Sequence, residues 1–436
     1  MSQGIDAVSS TEVGEPTRPR RLLVVAYHYP PEASSSGVLR TLKFTRYLLK
    51  FGWISTVLTL RRSAYSIVDP ALETQIPKQV EVSRTAALSV RHDITIFGWS
   101  PPWLAIPDHW IGWYLPAIRA GTRLVRKYPV DLVFSTSPYP TANLIGRRIA
   151  KRFGLPHVVD FRDPWYDDPR EPSISPLLHW ARKRLEAMVV RDSAALVVTT
   201  AAHQRLMKQR YGLADNRLFL IPNGYDEIDF ADLGEGDSAE DGMLQIAHFG
   251  PLNDTHRDPK PILRALGEAG RQRLLDLSLV RLKLYSAEDY ASRSEIKALL
   301  DEFRLNETVE FLPRLNYSDS LSTMRNMDVL LLIQATVDMT FSVPAKAFEY
   351  LRSGKPVLAI VLPGATTELM SKVEGGWSLH PGDEAGIVRT LGVIYRLWEK
   401  SELGQRAAAL QKIQAYDREN LARHLGKVLA QVAESN

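Results

Sequence analysis

The chain alternates short apolar runs with longer amphipathic stretches. Residues 22–26 form an unbroken apolar run of the kind that makes a strand buried on both faces. Residues 38–50 then place Val38, Leu42, Thr45 and Leu49 on one helical face, with Gly52 as the stop. Residues 54–60 read as the next strand. The rhythm continues with strands at 132–134, 157–161 and 195–199, and helices at 142–153 and 175–191. After Phe219 a second series begins, with strands at 244–249, 280–285, 309–312, 329–333 and 356–361. Helices are predicted between them at 261–269, 294–303, 318–326 and 344–352. Residues 404–432 carry one long helical pattern, weakly broken near Tyr416.

Alternation of this kind predicts an α/β protein with parallel sheets and helices on both faces. A length of 436 residues exceeds one ordinary core, so two doubly wound domains are expected. The pattern divides into a polar tail (1–20), a first domain (21–205), a second domain (206–403) and a C-terminal helix (404–436). The acidic, glycine-containing stretch 226–243 reads as a linker or surface excursion between the two series. Two such domains facing each other make a central cleft onto which the carboxyl ends of their strands open.

Composition narrows the function classes. Hydrophobic residues make up 45% and charged residues 24%, ordinary for a globular protein in water. The absence of cysteine excludes disulfides, thiolate metal sites and cysteine nucleophiles. A net charge of +4 is too small for a dedicated nucleic-acid binder, so no nucleic-acid partner is expected. The longest apolar runs, 329–333 and 357–362, fall far short of the ~20 residues of a membrane span. The first 20 residues lack the apolar core of a signal peptide. The expected location is the cytoplasm.

Several stretches just after strands could carry chemistry. In "SVPAKAFEYLRSGKPVLAI" (342–360), Ser342 suits an N-cap and Pro344 the first turn of a helix whose free N–H groups would suit a phosphate. Lys346 and Glu349 share a face, a pairing that suits a nucleotide diphosphate and its ribose; taken alone they are also an ordinary surface ion pair. In "VVDFRDPWYDDP" (158–169), Arg162 and Asp163 would emerge at the cleft, where an aspartate can hydrogen-bond a sugar hydroxyl or take a proton, or simply make a turn. Ser137, in "STSPYP", would shape an acceptor pocket, while His157 reads as structural. The stretch 97–129 holds Trp99, Trp103, Trp110 and Trp113 ahead of Arg119, Arg123, Arg126 and Lys127. This mixture suits an anionic membrane surface, sugar stacking, or a core helix with a basic edge. No metal-ligand spacing is present; Asp167–Asp168 is a single acidic pair, and no Gly-x-Gly-x-x-Gly follows the first strand.

Four motifs in order give the chain a family resemblance over residues 21–400. Pro344, Lys346, Glu349-Tyr350, Gly354 and Pro356-Val357 resemble the donor-binding segment of retaining GT-B glycosyltransferases of family 4. "FLIPNGYD" (219–226), "AHFGPLNDTHRDPKPILRAL" (247–266) and "VEFLPRLNYSDSLSTMRNMDVLLLI" (309–333) are similar to that family's Pro-Asn-Gly segment, phosphate-binding loop and base-binding passage. The resemblance implies GT-B architecture: two Rossmann-like domains facing a cleft, with the C-terminal helix crossing back to the first. It implies a donor site at Gly37, Asn223, Gly250, Leu312, Ser342, Val343, Lys346 and Glu349. Arg257 and Lys260 would neutralise the diphosphate, with Asp163 as the third catalytic candidate, and Arg40, Ser137 and Arg162 would face the acceptor. Arg40, in the first turn of its helix, opposes the helix dipole, a cost that an anion in the cleft would offset.

One departure stands out. Phe341 occupies the position where the family often has a glutamate, and Asp338 is the nearest acidic substitute. The expected activity is metal-independent sugar transfer from a nucleotide diphospho-sugar to a saccharide or lipid-linked acceptor. No cofactor is implied beyond that donor. The setting implied is cell-surface polysaccharide or lipopolysaccharide assembly, with peripheral contact at the inner membrane face. A nucleotide-sugar epimerase and a non-catalytic membrane-associated scaffold are the alternatives.

Overall fold

The computed structural model describes residues 18–35, 37–90, 93, 102–166, 175–231, 233, 242–334 and 340–435. Trp99, Asp167, Asp168 and Asp338 lie outside the described residues. Two all-parallel sheets form the framework. The first contains β1 (Arg20–Ala26), β2 (Trp53–Leu60), β3 (Glu81–Thr85), β4 (Leu132–Thr136), β5 (His157–Phe161), β6 (Ala195–Val198) and β7 (Leu218–Leu220). Its order is β3-β2-β1-β4-β5-β6-β7. The second contains β8 (Leu244–Phe249), β9 (Val280–Tyr285), β10 (Val309–Leu312), β11 (Val329–Gln334), β12 (Val357–Val361) and β13 (Gly376–Leu379). Its order is β10-β9-β8-β11-β12-β13.

Central strands are mostly apolar because helices cover both of their faces. Leu22 and Val24 of β1 enter one core with Leu42 and Phe44, while Leu23 and Val25 enter another with Trp113 and Ile145. This is the period-two division of a strand between two layers. The helix after β1 (α1, Gly37–Tyr47) ends in a turn of 3₁₀ helix, closed by Gly52 at φ 78°. That left-handed conformation favours glycine, which is why the stop is legible in the sequence.

Two expectations change. β7 is the last strand of the first sheet, so that sheet extends beyond residue 206 and the chain changes sheets between Leu220 and Leu244. The long C-terminal pattern is continuous helix only over Arg418–Glu434. Upstream, Tyr225 and Asp417 form a parallel bridge, and Arg418 N donates to Tyr225 O at 2.8 Å, which breaks the helix there. The final helix buries Leu421, Ala422, Leu425 and Leu429 against Leu42, Phe44 and Tyr47 of the first domain. Its burial therefore ties the end of the chain to the first sheet.

Each sheet reverses its strand order once, between β1 and β4 and between β8 and β11. Connections leave these neighbours toward opposite faces, opening a crevice at the carboxyl ends. Polar contacts bridge the two domains beside these crevices. Lys43 of α1 is buried and pairs with Asp226 at 2.7 Å and Asp229 at 2.8 Å. Tyr317 OH also donates to Asp229 at 3.0 Å, and Arg314 Nη2 reaches Ala33 O at 3.1 Å.

Candidate active site

The second-domain wall is built on the helix Ala345–Arg352, which follows β11. Pro344, not Ser342, occupies its N-cap position, and no side chain caps it. The Ser342 carbonyl instead accepts from Gln334 Nε2 at 3.2 Å and Thr366 Oγ1 at 3.3 Å. The N–H groups of the first turn lack intrahelical acceptors by geometry, so this end is an anion-seeking surface. Lys346 Nζ is 3.8 Å from Glu349 Oε2 and 5.8 Å from the centre of the Phe249 ring. Burial holds the Lys346 ammonium below its ordinary range, and Arg314 adds to this while Glu349 opposes it. Glu349 is 2% exposed, with Tyr317 and Arg418 close enough to act on it electrostatically.

The loop after β8 carries Arg257, and Lys260 opens the helix that follows it (Lys260–Arg271). Lys260 Nζ lies 3.3 Å from Asp254, 3.2 Å from Glu295 and 3.6 Å from Asp258. These carboxylates tie Lys260 to the loop and, through Glu295, to the helix Ser294–Phe303. Arg257 has no carboxylate within ion-pair distance among the described residues; its nearest acceptor is Pro251 O, at 3.5 Å from Nη1. Burial lowers the guanidinium's pKa, and its field reaches His248 together with that of Lys346. Arg257 thus differs from Lys260 in having no carboxylate partner among the described residues. Gly250, at φ 148°, ends β8, and its N–H donates to Tyr285 O at 3.3 Å. The Leu312 carbonyl, at the end of β10, accepts from Ser286 N at 2.9 Å.

On the first-domain wall Arg40 has a role other than the one expected of it. Its Nε and Nη2 donate to Asp160 at 3.0 and 2.8 Å. Nη2 also reaches Ile221 O at 2.9 Å, and Nη1 reaches Pro222 O at 2.7 Å and Asn223 Oδ1 at 3.5 Å. The anion that offsets its place in the first turn of α1 is Asp160, fully buried at the end of β5. Arg40 is therefore a structural clamp on the interdomain connection. Asn223 extends the clamp, with Nδ2 donating to Val343 O at 3.4 Å.

Ser137, Arg162 and Gly37 come together. Arg162 N donates to Ser137 Oγ at 2.9 Å and its Nη1 to Ser137 O at 3.4 Å, while its buried Nε has no partner. A Cβ on Gly37 would stand 2.3 Å from Arg162 Nη1, so the small residue makes room for a guanidinium rather than directly for a ligand. Asp163 follows Arg162 and favours its charged form. Arg40, Arg162, Asn223, Ala345 and Arg418 line a narrow cavity between the walls. Thr200 Oγ1 donates to Phe341 O at 2.5 Å, so the backbone at the departed glutamate position is itself an interdomain contact.

Three features escape sequence reasoning. Asp160 is a lone carboxylate within the apolar stretch "VVDF", a signal available in the pattern. Arg418, 4% exposed with Nη1 unpartnered, arrives from the far end of the chain and has no local signal. His28 Nδ1 lies 2.6 Å from Glu32 Oε2 in the loop after β1, with both residues buried. Their spacing of four in a proline-bearing loop gives no hint of contact. Of the tryptophans, Trp110 and Trp113 are core residues and Trp103 is 63% exposed. Among the described residues no helix is long and apolar enough to cross a membrane.

Comparison with known proteins bears on the fold. Residues 39–224 match the family model described as a glycosyl transferase 4-like domain. A comparison with curated proteins gave no significant match. Among solved structures, a sucrose-phosphate synthase from Thermosynechococcus elongatus superposes with a TM-score of 0.64 at 15% identity, covering 96% of this chain and all (100%) of that one. The Anabaena protein HepE, in complex with UDP and glucose, gives 0.63 at 17% identity over 94% of this chain and 100% of its own. A glycosyltransferase from Rickettsia africae gives 0.66 at 12% identity, covering 97% and 100%. The chain thus has the GT-B fold, two Rossmann-like domains facing a cleft, with the glycosyl transferase 4-like match lying in the first.

Proposed function

We propose that the protein is a glycosyltransferase that moves a sugar from a nucleotide diphospho-sugar to a saccharide or lipid-linked acceptor. The observation that carries the reading is the grouping of Lys346, Glu349 and Arg257 at the carboxyl edge of the second sheet, beside the uncapped helix start at Ala345. In this reading the first-turn N–H groups, Lys346 and Arg257 take the diphosphate, and Glu349 takes the ribose hydroxyls. These cations meet the charge that develops on the leaving group, where preorganised electrostatics contributes most. No cofactor or metal is required in this scheme. Arg162 and Asp163 would hydrogen-bond the transferred sugar or the acceptor. The family resemblance further implies retention at the anomeric carbon. HepE was solved with UDP and with UDP-glucose, which supports a nucleotide-sugar donor here.

A surface-polysaccharide setting at the inner membrane face completes the reading. Its support is the exposure of Leu88, Trp103, Leu115, Leu177 and Trp180, all on the first domain, which also carries the basic helix Tyr114–Lys127. The test is a radiolabelled panel of nucleotide-hexoses with membrane extract as acceptor. Transfer, with the anomeric configuration read by glycosidase digestion, supports the reading. Sugar interconversion without transfer, or nucleotide binding without turnover by folded protein given a competent acceptor, overturns it.

A further inference from the structure

We propose that the narrow cavity at the junction of the two domains binds one monatomic anion, a halide such as chloride, and that this ion holds the junction together. The proposal goes beyond the sugar-transfer reading and needs no substrate. Five segments meet at the cavity. Arg40 and Phe44 come from α1, Arg162 from the loop after β5, Asn223 from the connection between the sheets, Ala345 from the helix start on the donor wall, and Arg418 and Leu421 from the final helix. The chain changes domain at two of these places, near Asn223 and just before Arg418. An ion here would therefore touch both crossings at once.

Charge comes first. Three guanidinium groups line the cavity, and none of the residues lining it is acidic. Arg40 is taken up by Asp160 and by the carbonyls of Ile221 and Pro222. The other two keep donors in hand. Arg418 is 4% exposed, and its Nη1 is sealed from solvent with no hydrogen-bond partner among the described residues. Arg162 Nε is sealed and unpartnered in the same way. A buried donor on a charged group is costly to leave unmade, and an anion that accepts from it removes the cost. The nearby acids are engaged elsewhere. Asp160 is held by Arg40 and Thr136, Asp226 and Asp229 by Lys43, and Glu349 lies beside Lys346. Burial opposes the charge on Arg418, and the fields of Tyr317, Glu349, Asp229 and Asp226 outweigh it. At Arg162 burial prevails over Asp163, Asp160 and Glu32, with Arg40 adding to it, so this guanidinium is the one short of negative charge.

Size selects the ligand. The cavity measures about 10 Å³, the scale of one small particle. A nucleotide phosphate or a sugar carboxylate must bring its molecule with it, and a halide does not. The lining also favours an ion over water. Phe44 and Leu421 give the cavity an apolar side, which a weakly hydrated halide tolerates. A buried water seeks roughly two to four polar partners, and two unpartnered donors supply it with no acceptor for its own protons.

The test is the melting temperature of the full chain, titrated with sodium chloride or sodium bromide against sodium gluconate at equal ionic strength. Wild type is expected to gain a few degrees, saturating with either halide and not with gluconate. Arg418→Met is expected to raise the half-saturating concentration more than tenfold, and Arg418→Lys to recover part of that loss. Arg423→Met, on the exposed side of the same helix, should respond as wild type does. Wild-type crystals soaked in bromide should show an anomalous peak in contact with Arg418 or with Arg162 Nε, which decides the matter where a variant fails to fold. Equal curves in halide and gluconate leave a water in the cavity and overturn the proposal. A rise that never saturates, or that is the same in Arg418→Met, is general screening and overturns it, as does a bromide peak found only elsewhere. A halide response that saturating UDP abolishes places the ion among the donor's phosphates and overturns it too.

Discussion

Arg40 and Asp160 form a two-pronged ion pair, at 3.0 and 2.8 Å, that spans 120 positions of sequence and is removed from solvent at both ends. Thr136 Oγ1 donates to the same carboxylate at 2.8 Å. The remaining Arg40 donors hold the carbonyls of Ile221 and Pro222, where the chain leaves the first sheet. The pair is a stability element placed at the interdomain connection. Arg40→Ala would strand a buried carboxylate and is expected to cost about 3 to 5 kcal/mol in denaturant unfolding. Arg40→Ala combined with Asp160→Ala should cost less than the sum of the two, because removing both partners leaves no orphaned charge. A double variant that is simply additive would contradict the coupling.

Gly37 is fixed by Arg162. Gly37→Val brings its Cβ to 2.3 Å from the guanidinium, and relief requires the arginine to move out of the crevice. Turnover is therefore expected to fall well beyond tenfold, a barrier increase above about 1.4 kcal/mol. Nucleotide affinity, which depends on the other wall in our reading, should change little. Comparing kcat with the nucleotide-induced shift in melting temperature separates the two. Equal losses in both would contradict the assignment of Gly37 to the first-domain side.

Legibility followed the range of the interactions. The central strands are legible because burial on both faces demands continuous apolar runs such as Leu330–Ile333. The strand Glu81–Thr85 lies at a sheet edge and is only half-buried, so its sequence shows no such run and the pattern misses it. The Lys346–Glu349 pair is legible because helical spacing puts both residues on one face. Arg40 with Asp160, and Arg418 with Glu349, come together only through the fold, and nothing local announces them. The surroundings of Arg257, in the loop 250–259, and of Lys260, at the start of the helix after it, were not legible from spacing. The difference was made by Asp254, Asp258 and Glu295, the last of them on another helix.

Acid should destabilise the fold through its buried histidines. Burial first, and a positive neighbour in each case, push His157 down to about 3 and His203 and His248 to about 4, from 6.5. Between those values the unfolded chain binds protons that the folded chain refuses, so stability rises with pH. The contribution is complete above about pH 6.5 and is lost progressively as pH falls toward the folded-state values. Unfolding free energy measured across this window should slope upward and then flatten. His248→Gln should reduce the slope, and an unchanged slope would mean that His248 does not titrate as described.

Arg257 and Lys260 give the sharpest test of the donor wall. Lys260 is satisfied by Asp254 and Glu295, so in our reading Lys260→Ala removes a loop anchor but no phosphate partner. Its expected effect is a modest loss of stability, with transfer within a few-fold of wild type once the protein is folded. Arg257→Ala removes the cation that lacks a carboxylate, and Lys346→Ala removes the one over Phe249. Each is expected to lose more than tenfold in kcat/KM for the donor, above about 1.4 kcal/mol of transition-state stabilisation. Arg257→Lys should recover part of that loss, since charge returns without the planar fork. The measurement is donor-dependent transfer, with nucleotide binding by calorimetry alongside it. If Lys260→Ala loses as much as Arg257→Ala at unchanged stability, the diphosphate lies on the other side of this loop and the donor wall must be redrawn around Asp254 and Glu295.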